Sequence, residues 1–181
     1  MKTYKTNIEG CLLIEPTVFK DARGNFMETF HKAELEKQVG GTLDFVQDNQ
    51  SVSGKHVLRG LHYQKEPFSQ AKLVRVVRGR VLDVVVDLRP DLPTFGHHYS
   101  VELSAENRKM LFIPRGLAHG FLALEDQTVF CYKCDAYYHP ASEGGILYND
   151  PDLGIEWGVE DSKLILSEKD LSQPTFKELF S

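Results

Sequence analysis

Cysteine is scarce in this chain, and basic charge never gains the upper hand. Three cysteines in 181 residues cannot all pair, which suits a reducing compartment rather than a disulfide-stapled scaffold. Lysine and arginine number 21 against 26 aspartates and glutamates, a net charge of −5. That balance leaves no basic footprint for nucleic acid or an anionic membrane. No apolar run approaches the roughly 20 residues of a membrane span, and no basic start leads into an apolar stretch. Internal repeats, low-complexity tracts and linkers are missing as well. The expectation is one cytoplasmic domain over residues 1–181, with no nucleic-acid partner and no membrane contact.

What the chain does have is strands. FVQDNQSV, VLRGLHYQ, KLVRVVRG, RVLDVVVDL, HHYSVELS, MLFIP, GFLALE and TVFCYKCDAYY follow one another between Gly, Pro, Asn and Asp turns. CLLIEP (11–16) and NFMETF (25–30) read as strands on either side of a turn at KDARG (20–24). HKAELEKQVGG (31–41) is the best helix candidate, closed by Gly40 and Gly41, and SEKDLSQPTFKELF predicts a short helix in the tail. Many short strands with helices only at the margins predict a mainly β, jelly-roll barrel.

Strand alternation then sorts side chains. Lys72 shares a face with Val74 and Val76, Phe130 with Tyr132 and Cys134, and His119 with Phe121 and Ala123. Gly120 leaves room for a local distortion. Polar groups among core residues are costly unless paired or beside a solvated cavity. Cys131 and Cys134 form a Cys-x-x-Cys, but three residues along a strand turn the two to opposite faces, which favours structural cysteines over a shared metal.

Two blocks each bring in a histidine: RGLHYQ (59–64) with His62, and IPRGLAHGF (113–121) with His119, flanking the glycine-punctuated run at 72–88. This arrangement resembles the two blocks of a cupin-type small barrel, which line one cavity. A metal-binding cupin carries His-x-His and a later Glu in the first block. Here Gln64 stands two residues after His62 and position 72 is a lysine. No metal and no other cofactor is expected, and the reading moves to acid–base chemistry.

Nine motifs in order make the resemblance more specific. They are F-x-D-x-R-G-x-F-x-E-x-F (19–30), F-V-Q-D-N (45–49), V-L-R-G-L-H-Y-Q (57–64), K-L-V-R-V-x-x-G (72–79), P-T-F-G (93–96), L-S-A-E-N (103–107), I-P-x-G-x-A-H-G-F (113–121), Y-K-C…Y-Y-H-P-x-S-E (132–143) and N-D-P-D-x-x-I-x-W (149–157). Together they resemble the dTDP-4-dehydrorhamnose 3,5-epimerase family. The resemblance implies inversion of the carbons on either side of a ketone in a dTDP-linked sugar, by a homodimer. A C–H beside a carbonyl is acidic only because the anion spreads onto the oxygen. The site therefore needs a base, a cation or donor near that oxygen, and an acid on the opposite ring face.

By this resemblance His62 is the base, a role suited to a side chain that titrates near neutrality when unperturbed. Asp170 is its partner, Lys72 steadies the enolate, Tyr132 returns a proton from the other face, and Tyr138 stacks near the intermediate. Arg23 and Arg59 match diphosphate contacts, where guanidinium forks suit phosphate oxygens. Glu28, Gln47, Asp48, Asn49, His119, Glu143 and Lys169 fall at binding positions, and Phe19 and Phe26 suit stacking on thymine. The N-terminal strands are expected to cross to a partner subunit.

Without the family, plainer roles are open to the same residues. His62 would be a hydrogen-bonded core histidine, and His119 divides evenly between substrate contact and packing. Lys72 would snorkel, and Tyr132 and Tyr138 would be core tyrosines. Arg23 and Glu28 would form a solvated ion pair of little worth. Asp170, in the charged run SEKD, would lie at the surface, as would His97 and His98. Rival activities are a mono-epimerase acting on a related 4-keto-6-deoxy sugar nucleotide, a metal-dependent cupin oxygenase, and a non-catalytic sugar-binding module.

Overall fold

A computed structural model describes all 181 residues. The chain begins with β1 (Lys2–Lys5), β2 (Leu12–Glu15), β3 (Val18–Asp21) and β4 (Gly24–Met27). Helix α1 (Lys32–Val39) follows, then β5 (Gln47–Ser53), β6 (Leu58–Gln64), β7 (Lys72–Arg78) and β8 (Arg80–Asp87). The second half holds β9 (His98–Ser104), β10 (Met110–Ile113), β11 (Leu117–Ala123), β12 (Thr128–Cys134) and β13 (Glu143–Gly145). Two brief helices, α2 (Glu168–Leu171) and α3 (Phe176–Phe180), close the chain. None of the helices is long and apolar enough to cross a membrane.

The strands form a six-stranded sheet, in the order β1-β2-β10-β7-β12-β5, and a five-stranded sheet, β13-β6-β11-β8-β9. The inner faces supply one core. Val74 and Val76 of β7, Leu111 of β10 and Phe130 of β12 meet Val81 and Val85 of β8, Leu103 of β9 and Phe121 of β11. Phe130 is fully buried and stacks on Phe121 at 4.2 Å; burial of such a ring contributes roughly 1.5–3 kcal/mol. This is the jelly-roll barrel expected from the strand pattern.

The five-stranded sheet is covered on its outer face too. Leu58, Leu61, Val84, Ala118 and Leu122 pack there against Ile146, Tyr148, Leu153 and Trp157. That double cover explains why every residue of β11 is buried although alternate side chains face opposite ways. On the six-stranded sheet, α1 lays Leu35 over Leu12, Ile14 and Leu73. His31 caps α1 by accepting from the Glu34 N–H, and Gly40 ends it at φ 73°, where a Cβ would be strained.

Four local expectations change. The hairpin partner of β4 is Val18–Asp21, so Lys20 and Asp21 are strand rather than turn, while Leu12–Glu15 pairs with β1 and β10. β1 and β13 carry no strong alternation and were not foreseen. The tail makes two short helices, because Pro174 separates Glu168–Leu171 from Phe176–Phe180. His98 lies within β9 and is partly buried, whereas His97 is exposed as expected.

Candidate active site

β6 and β11 run antiparallel as neighbours, and their register sets His62 opposite His119. Just before His62 the strands come unusually close: a Cβ on Gly60 would stand 2.4 Å from the Cα of Gly120. The pairing shifts register between His119 and Phe121, the distortion that Gly120 permits. Both histidines line one cavity of about 570 Å³ between the two sheets.

His62 does not stand alone. Its Nε2 lies 2.6 Å from Oδ1 of Asp170, which α2 delivers to the cavity wall. Ser167 caps α2 by accepting from the Asp170 N–H, which fixes the carboxylate's approach. The charged run SEKD is therefore no surface segment at Asp170, which is 4 % exposed. Burial would raise the Asp170 pKa, but hydrogen bonds from His62, Ser167 and the Gly60 backbone outweigh it and hold the carboxyl below its ordinary value. The pair can hold a charged or a neutral imidazole in one orientation.

The six-stranded sheet supplies the facing wall. Lys72, Tyr132 and Cys134 line the cavity from adjacent strands, with Cys134 in register with Lys72. Lys72 forms no ion pair; its Nζ lies 6.0 Å from the centre of the Tyr132 ring. Burial pulls its pKa below the usual lysine value, and the neighbouring Cys134, Asp83 and Glu143 restore only part of that. Burial pushes the Tyr132 phenol up, helped by Cys134 and opposed by Arg59, so it stays protonated at neutral pH. Cys131 turns outward and Cys134 inward, and all three cysteines are free thiols.

A second histidine–carboxylate pair was not foreseen. His119 Nε2 is 2.9 Å from Oδ2 of Asp83, and both residues are buried. The other carboxylate oxygen of Asp83 is buried without a hydrogen-bond partner. Asp83 shares its inward face with Val81 and Val85. A charged residue at an inward position of RVLDVVVDL was the signal available in the sequence. Ser51 is a second omission, lying on the cavity face of β5 with Gln47 and Asn49, its buried hydroxyl unpartnered.

At the mouth, the Tyr138 hydroxyl donates to Glu143 Oε2 at 2.8 Å, and Lys169 Nζ meets the same oxygen at 2.5 Å. Burial opposes ionisation of Glu143, but Lys169 and Tyr138 hold its pKa below the usual value. Arg59 also lines the cavity, and its Nε donates to Ser53.

Five expected binding residues lie outside this cavity. Asp48 falls on the outward phase of β5, between Gln47 and Asn49, and pairs with Lys133 at 2.6 Å. Phe19, Arg23 and Phe26 sit on the β3–β4 hairpin, with Glu28 just beyond it, all exposed and away from the chain's own pocket. Arg23 pairs with Asp21 at 2.6 Å and not with Glu28. No three His, Cys, Asp or Glu side chains converge with metal-ligand geometry, and the Gln64 amide is taken up by backbone groups.

The profile of the dTDP-4-dehydrorhamnose 3,5-epimerase family matches residues 5–178. The chain belongs to that family. A dTDP-4-dehydrorhamnose 3,5-epimerase of Shigella flexneri is 50 % identical over 97 % of this chain and 96 % of its own length. The crystal structure of the Elizabethkingia anophelis NUHP1 epimerase superimposes with a TM-score of 0.96 at 50 % identity, covering 98 % of this chain and 97 % of its own. The dTDP-6-deoxy-D-glucose-3,5-epimerase of Legionella pneumophila Philadelphia 1, solved with dTDP-4-keto-L-rhamnose, reaches 0.93 at 45 % identity, covering 99 % and 94 %. Epimerase membership accounts for a cavity whose polar groups are acids, bases and cations.

Proposed function

We propose that this chain converts dTDP-4-dehydro-6-deoxy-D-glucose to dTDP-4-dehydro-L-rhamnose by inverting C3 and C5, as a step of dTDP-L-rhamnose biosynthesis. The observation that carries the proposal is the division of labour between the two walls. The five-stranded sheet carries His62, held by Asp170, while the facing sheet carries the protonated Tyr132 and the uncoupled Lys72. A sugar ring between them has a base on one face and an acid on the other.

The steps balance without an outside reactant. With Nε2 engaged by Asp170, Nδ1 of His62 takes the proton from the carbon beside the ketone. The electron pair moves onto the C4 oxygen as an enolate, which the Lys72 ammonium stabilises. Asp170 stabilises the imidazolium that results. The Tyr132 hydroxyl then delivers a proton to the opposite face, so the carbon is inverted and the ketone restored. Proton exchange with solvent returns both side chains to their starting states, and no metal or organic cofactor takes part. His119, oriented by Asp83, and Tyr138 contact the same ring.

Arg59 serves the diphosphate. The β3–β4 hairpin supports a homodimer in which Phe19, Arg23, Phe26 and Glu28 serve the neighbouring cavity. Phe19 and Phe26 are 62 % and 68 % exposed, and an isolated two-stranded hairpin is marginal in water. Three free thiols favour the reducing cytoplasm.

The test is incubation with dTDP-4-keto-6-deoxy-D-glucose in deuterated water, followed by NMR. Deuterium at C3 and C5 with both centres inverted is the expected result. Inversion of one carbon would make the chain a mono-epimerase, and a product with neither exchange nor inversion would overturn the reading.

A further inference from the structure

The segment between β12 and the 3-10 turn at Pro140–Ser142 has no regular structure. Its backbone is nevertheless taken up in succession by glutamine side chains. Gln70 Nε2 donates to the Ala136 carbonyl at 2.8 Å. Gln64 Nε2 donates to the Tyr137 carbonyl at 3.3 Å, and its Oε1 accepts from the His139 N–H at 2.6 Å. Gln47 Oε1 accepts from the Tyr138 N–H at 2.9 Å.

Gln64 thus brackets Tyr138, holding the residue before it and the residue after it. A second bond from Nε2 reaches the Phe68 carbonyl at 2.6 Å and ties in the loop after β6. Gln64 is only 7 % exposed, and it lies two residues from His62 on the same strand. An amide is the side chain that can donate twice and accept at one site. A carboxylate could accept from His139 but would face two carbonyl oxygens, and an apolar side chain could do neither. Tyr138, in contrast, is 52 % exposed, and the hydrogen bond of its side chain is the one from its hydroxyl to Glu143. Ring placement on such a loop depends on the backbone's anchors.

We propose that Gln64 is a positioning residue acting through Tyr138: it ties the tyrosine's loop to the strand that carries His62 and so fixes the ring over the reacting sugar. This rests on the epimerase reading of the cavity. It also gives the position that a metal cupin uses for a ligand a different purpose here.

The test uses Gln64→Met, which keeps the volume, and Gln64→Glu, which keeps one acceptor, so that one unfolded variant does not decide the matter. Each should lower kcat about 10–100-fold, the cost of a catalytic group displaced by about an ångström. In a Tyr138→Ala background the same changes should alter kcat less than about twofold, because the group they position is gone. Losses that multiply in the double variants, or a Tyr138→Ala enzyme with wild-type kcat, would overturn the proposal. Hydrogen exchange provides a readout independent of turnover: the His139 amide should lose protection in Gln64→Met. Should the wild-type protein show no epimerase activity, the function fails while exchange still judges the clamp, and unchanged protection at His139 would refute it.

Discussion

Asp170 reaches back 108 positions to place Oδ1 2.6 Å from His62 Nε2. His62 lies on β6, next to the edge strand of its sheet, and Asp170 on a four-residue helix near the C-terminus. The ring is thereby fixed by a group that follows a charged run, Glu168 and Lys169, along the chain.

Asp170→Asn should lower kcat on the order of 10²–10⁴-fold, the range for a general base that loses its orientation and its imidazolium partner. It also has a pH signature. Asp170 is held below its ordinary pKa, so the pair's contribution to stability is complete above the unfolded aspartate value of about 3.9. That contribution disappears as pH falls through the lower folded value. Thermal melts of wild type and Asp170→Asn should differ at pH 7 and converge in acid. A gap that widens on acidification would contradict the sign.

Tyr132→Phe separates base from acid. His62 remains, so the enolate forms and is re-protonated from the side it left. Deuterium exchange at one or both carbons should persist while inversion falls. The Tyr132 hydroxyl makes no hydrogen bond within the chain, so stability should change little, and melting can check that. In His62→Ala, exchange and inversion should vanish together.

Lys72→Met removes the ammonium and keeps the volume. Loss of one stabilising charge at a developing oxyanion costs about 10²–10³-fold in kcat, with KM little changed. Steady-state kinetics measures both. Because burial already opposes a charge here, the variant should melt at or above the wild-type temperature.

Arg59→Ala should raise KM and spare kcat. In its proposed role it holds the diphosphate, which is unchanged between ground and transition states, so the contact would contribute uniform binding. A fall in kcat at unchanged KM would move Arg59 to the reacting sugar.

Exhaustive chelation should leave turnover intact. No donor set for a metal is assembled in the cavity, and each proton transfer has a side chain to perform it. Activity abolished by EDTA and restored by a divalent ion would contradict the mechanism.

Periodicity determined much of this protein. Alternation placed Lys72 beside Val74 and Val76, and Tyr132 beside Phe130 and Cys134, and those faces do look inward. The same alternation turns Asp48 outward, against the role that the motif implies. Gly40, expected as a C-cap, does end α1. Such features are local: a side chain's phase on a strand follows from its neighbours along the chain. Asp83 was legible in the same way, as a charge at an inward valine position, but its pairing with His119 was not.

The tertiary structure decided the encounters. Nothing in SEKD says that Asp170 will be buried, because its burial comes from α2 docking over β6. Nothing in Gln64 says that its amide will hold the loop of Tyr138, 74 positions away by number. The family resemblance assigns residues of the β3–β4 hairpin to the nucleotide, yet the fold carries them away from their own cavity. Strand phase is settled by a few neighbouring bonds, whereas pairings across a hundred residues are settled only when two sheets close on a shared core and the chain's end returns to cover it.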